Sequence, residues 1–275
     1  AGDGRSALKK ARRIVVKVGT RTLVDKNGRP NKRRIACIAS QLAQLRQAGK
    51  EIILVSSGAV GAGLQALGFK HKPRSLPELQ MAASVGQTCL LQIYSEYFKK
   101  SGCQISQVLL THADLKHRGR HLNIRNTLLK LLQHKVVPII NENDVISVDE
   151  IRVGDNDILS ALVSVLVDAD LLLILTSVDG LRQSFPKGKT RRVKYLPKVT
   201  QKTFQWVTKK SEALSTGGMH TKLKAAQIAE KSGVLVVIAP GHKKSVIERV
   251  VDGADIGTLI GQQRLQDTLV KRKRW

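Results

Sequence analysis

A three-layer αβα sandwich around a mainly parallel β-sheet is the fold class that this sequence predicts. Two observations carry it. Six short runs rich in Val, Ile and Leu (13–18, 51–56, 104–110, 135–140, 171–176 and 234–239) are mostly apolar at consecutive positions rather than alternating. Strands read this way when helices cover both faces of their sheet. Between them lie stretches with apolar residues at helical spacing (33–48, 78–100, 122–134, 156–167 and 221–232). Such alternation of strand and helix builds right-handed crossovers in a parallel sheet. The 275 residues are 42% hydrophobic and only 3% aromatic, so the core is ample and aliphatic.

Taken in order, the strand ends collect the chemistry, and in open α/β sheets ligands bind where strands end and loops begin. The first run closes with Lys17-Val-Gly-Thr20. A lysine in an apolar strand is costly unless its amine snorkels from the end or meets a partner. The second closes with Ser56-Ser57-Gly58-Ala-Val-Gly61-Ala-Gly63. Its glycines run opposite to the dinucleotide fingerprint, which excludes a Rossmann reading. The loop suits either an anion or close packing through small residues. The fourth closes with Asn141-Glu-Asn-Asp144, and Gly154-Asp155-Asn156-Asp157 follows. These amides and carboxylates suit an ammonium group or a magnesium-bound nucleotide. Between the two clusters, 145–153 alternates polar and apolar residues and reads as a hairpin or edge pair. The fifth run closes with Thr176-Ser177-Val-Asp-Gly-Leu181.

The segment 182–212, rich in Lys, Thr and Gln, predicts an exposed excursion from the sheet. Then comes Ser215-Thr-Gly-Gly-Met-His-Thr-Lys222, directly before a helical pattern. Bare N–H groups at a helix start, hydroxyls and a lysine form an anion site. The order is not that of a Walker loop, and a Gly-Gly pair alone is equally a turn. No repeat or low-complexity linker divides the chain, so one domain is expected over 1–262, with a basic, loosely held tail at 263–275.

Composition excludes several classes. No apolar run reaches membrane-span length, and residues 1–5 lead almost directly into a strand without a signal-peptide pattern. Cys37, Cys89 and Cys103 match no zinc spacing and predict free thiols in a reducing, cytoplasmic compartment. His117 and His121 sit beside Lys116, Arg118 and Arg120, which repel a cation, so no metal site is expected there. The net charge of +26 points to polyanions. Yet the basic residues are spread, with a dense block only at 271–274, and no basic–aromatic interleaving accompanies them. Nonspecific nucleic-acid or polyanion binding is the most this pattern implies.

Two lysines, two glycine-rich loops and carboxylates on strand ends match the needs of phosphoryl transfer, which asks for positioning and charge neutralisation. Protein-kinase signatures and Gly-x-Ser-x-Gly are absent. At VVKVGT (15–20), LPELQMAASVGQ (76–87), QVLLTHAD (107–114) and PIINENDV (138–145) the chain resembles the amino acid kinase family. VSSGAVGAG (55–63), VGDND (153–157), LTSVDGL (175–181) and STGGMHTK (215–222) extend the resemblance over about residues 12–262. It implies transfer of the γ-phosphate of ATP, with Mg²⁺ on the phosphates, to the side-chain carboxylate of L-glutamate, opening proline synthesis.

By the same resemblance Lys17 and Lys222 stabilise the moving phosphoryl group and Asp155 orients them. Ser57, Asp144 and Asn156 bind glutamate. Lys17, Thr176, Ser177, Thr216, Gly217, Gly218, Met219, His220, Thr221 and Lys222 hold the nucleotide. A homo-oligomer, dimer or tetramer, is implied as well. Position 177 is Ser where many members carry Asp, and many members continue past the position of Trp275 into a small PUA-type domain. Two other classes compete: a kinase-fold protein whose basic surface binds RNA, and a sibling kinase for acetylglutamate, aspartate, a nucleoside monophosphate or carbamate.

Overall fold

Successive residues of the first strand, β1 (Arg13–Val18), face into two separate cores. Ile14, Val16 and Val18 pack on one side of the sheet, and Val15 packs on the other. The same division runs through β2 (Glu51–Val55), β5 (Leu171–Thr176) and β9 (Leu235–Pro240). Burial on both faces is why these runs carry no polar alternation. The computed structural model describes residues 4–25, 28–147, 156–185, 190–207 and 218–262.

The main sheet has eight strands in the order β3-β4-β2-β1-β5-β9-β10-β8, completed by β3 (Ile105–Leu110), β4 (Val137–Glu142), β8 (Tyr195–Leu196) and β10 (Thr258–Ile260). Every pairing is parallel except β9 with β10. One face is covered by α1 (Ser6–Lys10), α3 (Lys32–Gln47), α5 (Leu76–Lys100) and α11 (Val246–Val251). The other is covered by α7 (Arg118–Gln133), α8 (Asn156–Leu166) and α10 (Met219–Lys231). Short helices α2 (Thr20–Leu23), α4 (Ala59–Ala66), α6 (His112–Lys116) and α9 (Gln201–Phe204) fill the connections. The expected sandwich is therefore present. The excursion at 182–212 contains an antiparallel pair, β6 (Arg182–Ser184) with β7 (Thr190–Arg192). No helix of the described residues is long and apolar enough to cross a membrane.

Local chemistry explains where the long helices begin. The Asn31 side chain accepts from the Arg34 N–H at 3.1 Å, capping α3. At α5, Ser75 accepts from the Glu78 N–H, Glu78 reaches back to the Ser75 hydroxyl at 2.6 Å, and Pro77 sits in the first turn. Of the expected hairpin over 145–153, Val145 and Ile146 lie in a turn after β4, and 148–153 fall outside the described residues. The basic tail at 263–275 falls outside them too.

The glycine loop after β2 serves two ends. Gly58 starts α4 with φ of 97°, a conformation that disfavours any side chain. Gly63 instead lets α4 touch α5: a Cβ there would stand 1.7 Å from the Ala82 carbonyl oxygen. A Cβ on Gly86 would stand 1.8 Å from the Ala59 carbonyl oxygen. Gly86→Ala should force these helices apart and cost at least about 1–3 kcal/mol, as overpacking does. Thermal unfolding monitored by circular dichroism checks this, and an unchanged midpoint would show that the contact is not tight.

Candidate active site

The C-terminal ends of β1, β2, β4 and β5 open onto a cleft of about 1050 Å³. Its position follows from topology. The chain places β2 on one side of β1 and β5 on the other, and the crevice forms where the winding reverses. Lys17 stands near the end of β1, while Lys222 reaches in from the first turns of α10. Both are almost fully buried, at 4% and 6% exposure.

Between them lies Asp157, completely buried at the start of α8, where the helix dipole favours a carboxylate. Its Oδ1 is 2.8 Å from the Lys17 Nζ, and its Oδ2 accepts from the Lys222 Nζ at 3.0 Å. The Thr221 hydroxyl lies 2.9 Å from both Oδ2 and the Gly218 carbonyl oxygen. Burial alone pushes the Asp157 carboxyl up, but the two ammonium groups win and hold it below the usual carboxylate range. Burial pushes Lys222 down; Asp157 opposes that and Lys17 adds to it, leaving Lys222 below the usual lysine value. Asp155, expected in the orienting role, lies outside the described residues. The carboxylate that both lysines hold here is Asp157, two positions on in the same motif.

On one side of the lysines the cleft is lined by Ser57, Asn141 and Asp144. Asn156 is behind them, completely buried, and its Nδ2 lies within hydrogen-bond reach of the Ser56 carbonyl oxygen (3.0 Å), the Ser57 Oγ (3.1 Å) and the Asn141 Oδ1 (2.9 Å). The Ser56 hydroxyl meets the Tyr94 hydroxyl at 3.0 Å, and burial raises the Tyr94 pKa to about 12. On the other side the lining includes Thr176, Ser177, Gly218 and Met219, with Trp206 and Val207 as apolar walls. The His220 ring packs against Phe204, centroids 5.0 Å apart. Thr216 and Gly217 lie outside the described residues. Unforeseen from the sequence is the cationic rim of Arg21, Arg29, Lys70, Lys72 and Arg182. Lysines and arginines are too common on surfaces to signal a cleft.

Mg²⁺ needs hard oxygen ligands in near-octahedral geometry. Asp157 is already engaged by two ammonium groups, and the described residues contain no cluster of three or more His, Cys, Asp or Glu that could hold a metal. The His117–His121 region is likewise without one, and the His121 ring Nδ1 faces the Leu115 carbonyl oxygen at 3.1 Å. Among the described residues the cleft therefore offers no protein cage for Mg²⁺.

Comparison with known proteins agrees with this geometry. A solved UMP kinase from Bacillus anthracis shares the fold, with a TM-score of 0.60 at 15% identity, over 91% of this chain and 96% of its own. The glutamate 5-kinase of Moorella thermoacetica is 48% identical over 98% of this chain and 72% of its own length. That of Nitrosococcus oceani is 45% identical over 100% of this chain and 73% of its own. The amino acid kinase family pattern matches residues 12–240. With its lysines and buried aspartate at the ends of a parallel sheet, the chain belongs to the amino acid kinase family.

Proposed function

We propose that this chain transfers the γ-phosphate of ATP to the side-chain carboxylate of L-glutamate, giving γ-glutamyl phosphate. The observation that carries the reading is the Lys17–Asp157–Lys222 trio, set between a pocket of Ser57, Asn141 and Asp144 and a hydroxyl- and glycine-lined arm. The 48% identity to a glutamate 5-kinase supports the choice of acceptor.

Each part has a physical task. The phosphoryl group in flight spreads negative charge over its oxygens. Lys17 and Lys222 meet that charge from two elements, β1 and α10, and Asp157 keeps both ammoniums aimed and charged. Asp144 pairs with the substrate ammonium, and Ser57 supplies a hydroxyl beside it. Thr176, Ser177 and the segment 216–222 hold the nucleotide. Mg²⁺, bound with ATP, neutralises part of the phosphate charge. The cationic rim raises the local concentration of both anionic substrates.

With ATP, Mg²⁺, glutamate and hydroxylamine, the protein should form γ-glutamyl hydroxamate. Turnover of acetylglutamate or aspartate in place of glutamate would overturn the reading. Lys222→Ala should lower kcat on the order of 10²–10³-fold, the usual cost of losing one preorganised donor. Near-normal kcat in a folded variant would make the lysine structural.

Asp144→Ala should act on recognition. Removing one partner of a buried charged pair costs roughly 2–5 kcal/mol. Steady-state kinetics should show KM for glutamate rising far more than KM for ATP. Equal effects on both would place Asp144 elsewhere in the cycle.

Lys222 must be protonated to meet the phosphoryl oxygens, and its pKa lies below the usual 10.5. The charged form is therefore lost at lower pH than in a free lysine. A profile of kcat/KM against pH, which reports the free enzyme, should bend downward on the alkaline side before 10.5 is reached. Lys222→Arg, which stays charged, should remove that limb at reduced rate. An identical limb in the arginine variant would assign it to another group.

A further inference from the structure

The buried amides behind Ser57 share one consistent orientation, anchored at two backbone groups and at Gln87. The Glu142 backbone N–H can only donate, and it meets the Asn141 side chain at 2.9 Å, so the atom there is Oδ1. The Ser56 carbonyl can only accept, and it meets Asn156 at 3.0 Å, so the atom there is Nδ2. Asn156 Nδ2 then donates to Asn141 Oδ1 at 2.9 Å, consistent with both anchors. Two consequences follow at the ends of the chain. Asn141 must turn its own Nδ2 toward α5, where Gln87 Oε1 accepts at 2.8 Å. Ser57 Oγ lies 3.1 Å from Asn156 Nδ2, which shares its two N–H donors among three oxygens and cannot itself accept, so the Ser57 proton is directed elsewhere. Ser57 lines the cleft, and no other hydrogen bond of its hydroxyl is present among the described residues.

We infer that Gln87 is a positioning residue for substrate recognition: through Asn141 and Asn156 it holds the Ser57 hydroxyl as a donor aimed into the cleft, selecting an oxygen acceptor such as a substrate carboxylate. The relay rests on the glutamate-kinase reading for the identity of that acceptor. Gln87 itself is half-buried on α5, 54 positions from Asn141 in sequence, and it touches the site only through this one bond. Without its oxygen the Asn141 amide loses the acceptor that keeps Nδ2 turned away from Asn156. A flipped Asn141 would confront the Glu142 N–H and Asn156 Nδ2 with a donor, and the clash would displace Asn156 from the Ser57 oxygen beside it.

The test compares Gln87→Met, which keeps length and helix propensity but removes the acceptor, with Gln87→Glu, which keeps an acceptor. Glutamate and ATP analogue binding are measured by calorimetry, which needs no turnover, alongside KM for each substrate. Gln87→Met should weaken glutamate binding about tenfold, the scale of one unsatisfied buried polar group. Binding of the ATP analogue should be unchanged, and Gln87→Glu should stay close to the parent. If Gln87→Met does not fold, Gln87→Ala carries the same expectation. In a Ser57→Ala background the Gln87→Met effect should largely vanish, because both changes act on one hydroxyl. A Gln87 effect that persists undiminished without the Ser57 hydroxyl, equal losses for both substrates, or failure of Gln87→Glu to preserve affinity would each overturn the relay. A parent protein that binds no glutamate would overturn the functional reading itself, and with it the assignment of the acceptor.

Discussion

Asp157 is the constraint on which the rest of the site depends. Two ammonium groups converge on it where all three side chains are buried, and neither could readily remain charged there alone. Removing one member of such a buried set is usually worth several kcal/mol, because charge is left behind without its counterpart. The trio ties together β1, α8 and α10, which come from three distant parts of the chain. It also carries two positive charges against one negative, a surplus that a phosphoryl group can meet. A single carboxylate therefore fixes the meeting of these elements and the sign of the field at the reaction centre.

The glutamate-side pocket is built on a different principle. Its depth is organised by neutral groups, the amides of Asn141, Asn156 and Gln87 and the hydroxyls of Ser56, Ser57 and Tyr94. Neutral networks can be buried at lower cost than charges provided that donors and acceptors are paired. In the proposed reaction the charged trio stands where charge moves, and the amide array where a substrate is only recognised. The tight contact of α4 on α5 through Gly63 and Gly86 serves the same end, since it holds Gln87 and the Ser57 loop on one unit.

Much of this was legible in the sequence. β1 and β5 match their apolar runs at both ends, because burial on both faces leaves no polar residue to blur them. The long helices are found within a few residues, since Asn31 and Ser75 write their start signals locally. β8 and β10 were missed, as two or three residues are too few to show any period. In the candidate site, Lys17, Lys222, Ser57 and Asp144 stand out in the sequence because they end strands or follow glycines, and the structure places all four along one cleft. The place of Asp157 between the two lysines was not legible, because only the approach of side chains distant in sequence marks it. Gln87 was invisible for a simpler reason: nothing near it in sequence refers to Asn141.

At the far edge of the sheet Arg5 is buried, and its guanidinium donates to the carbonyl oxygens of Lys194, Ala254, Ile256 and Gly257 at 2.9–3.2 Å. The first described turn of the chain thereby clasps segments made some 250 positions later. During synthesis that clasp has no partner until residues 254–257 have left the ribosome. β1, the sheet's central strand, similarly waits for β5 before its second side is covered. Such long-range closure is slow to form and leaves apolar strand edges open meanwhile. The same bonds that seal this edge of the sheet thus make its nascent form dependent on protection until β10 arrives.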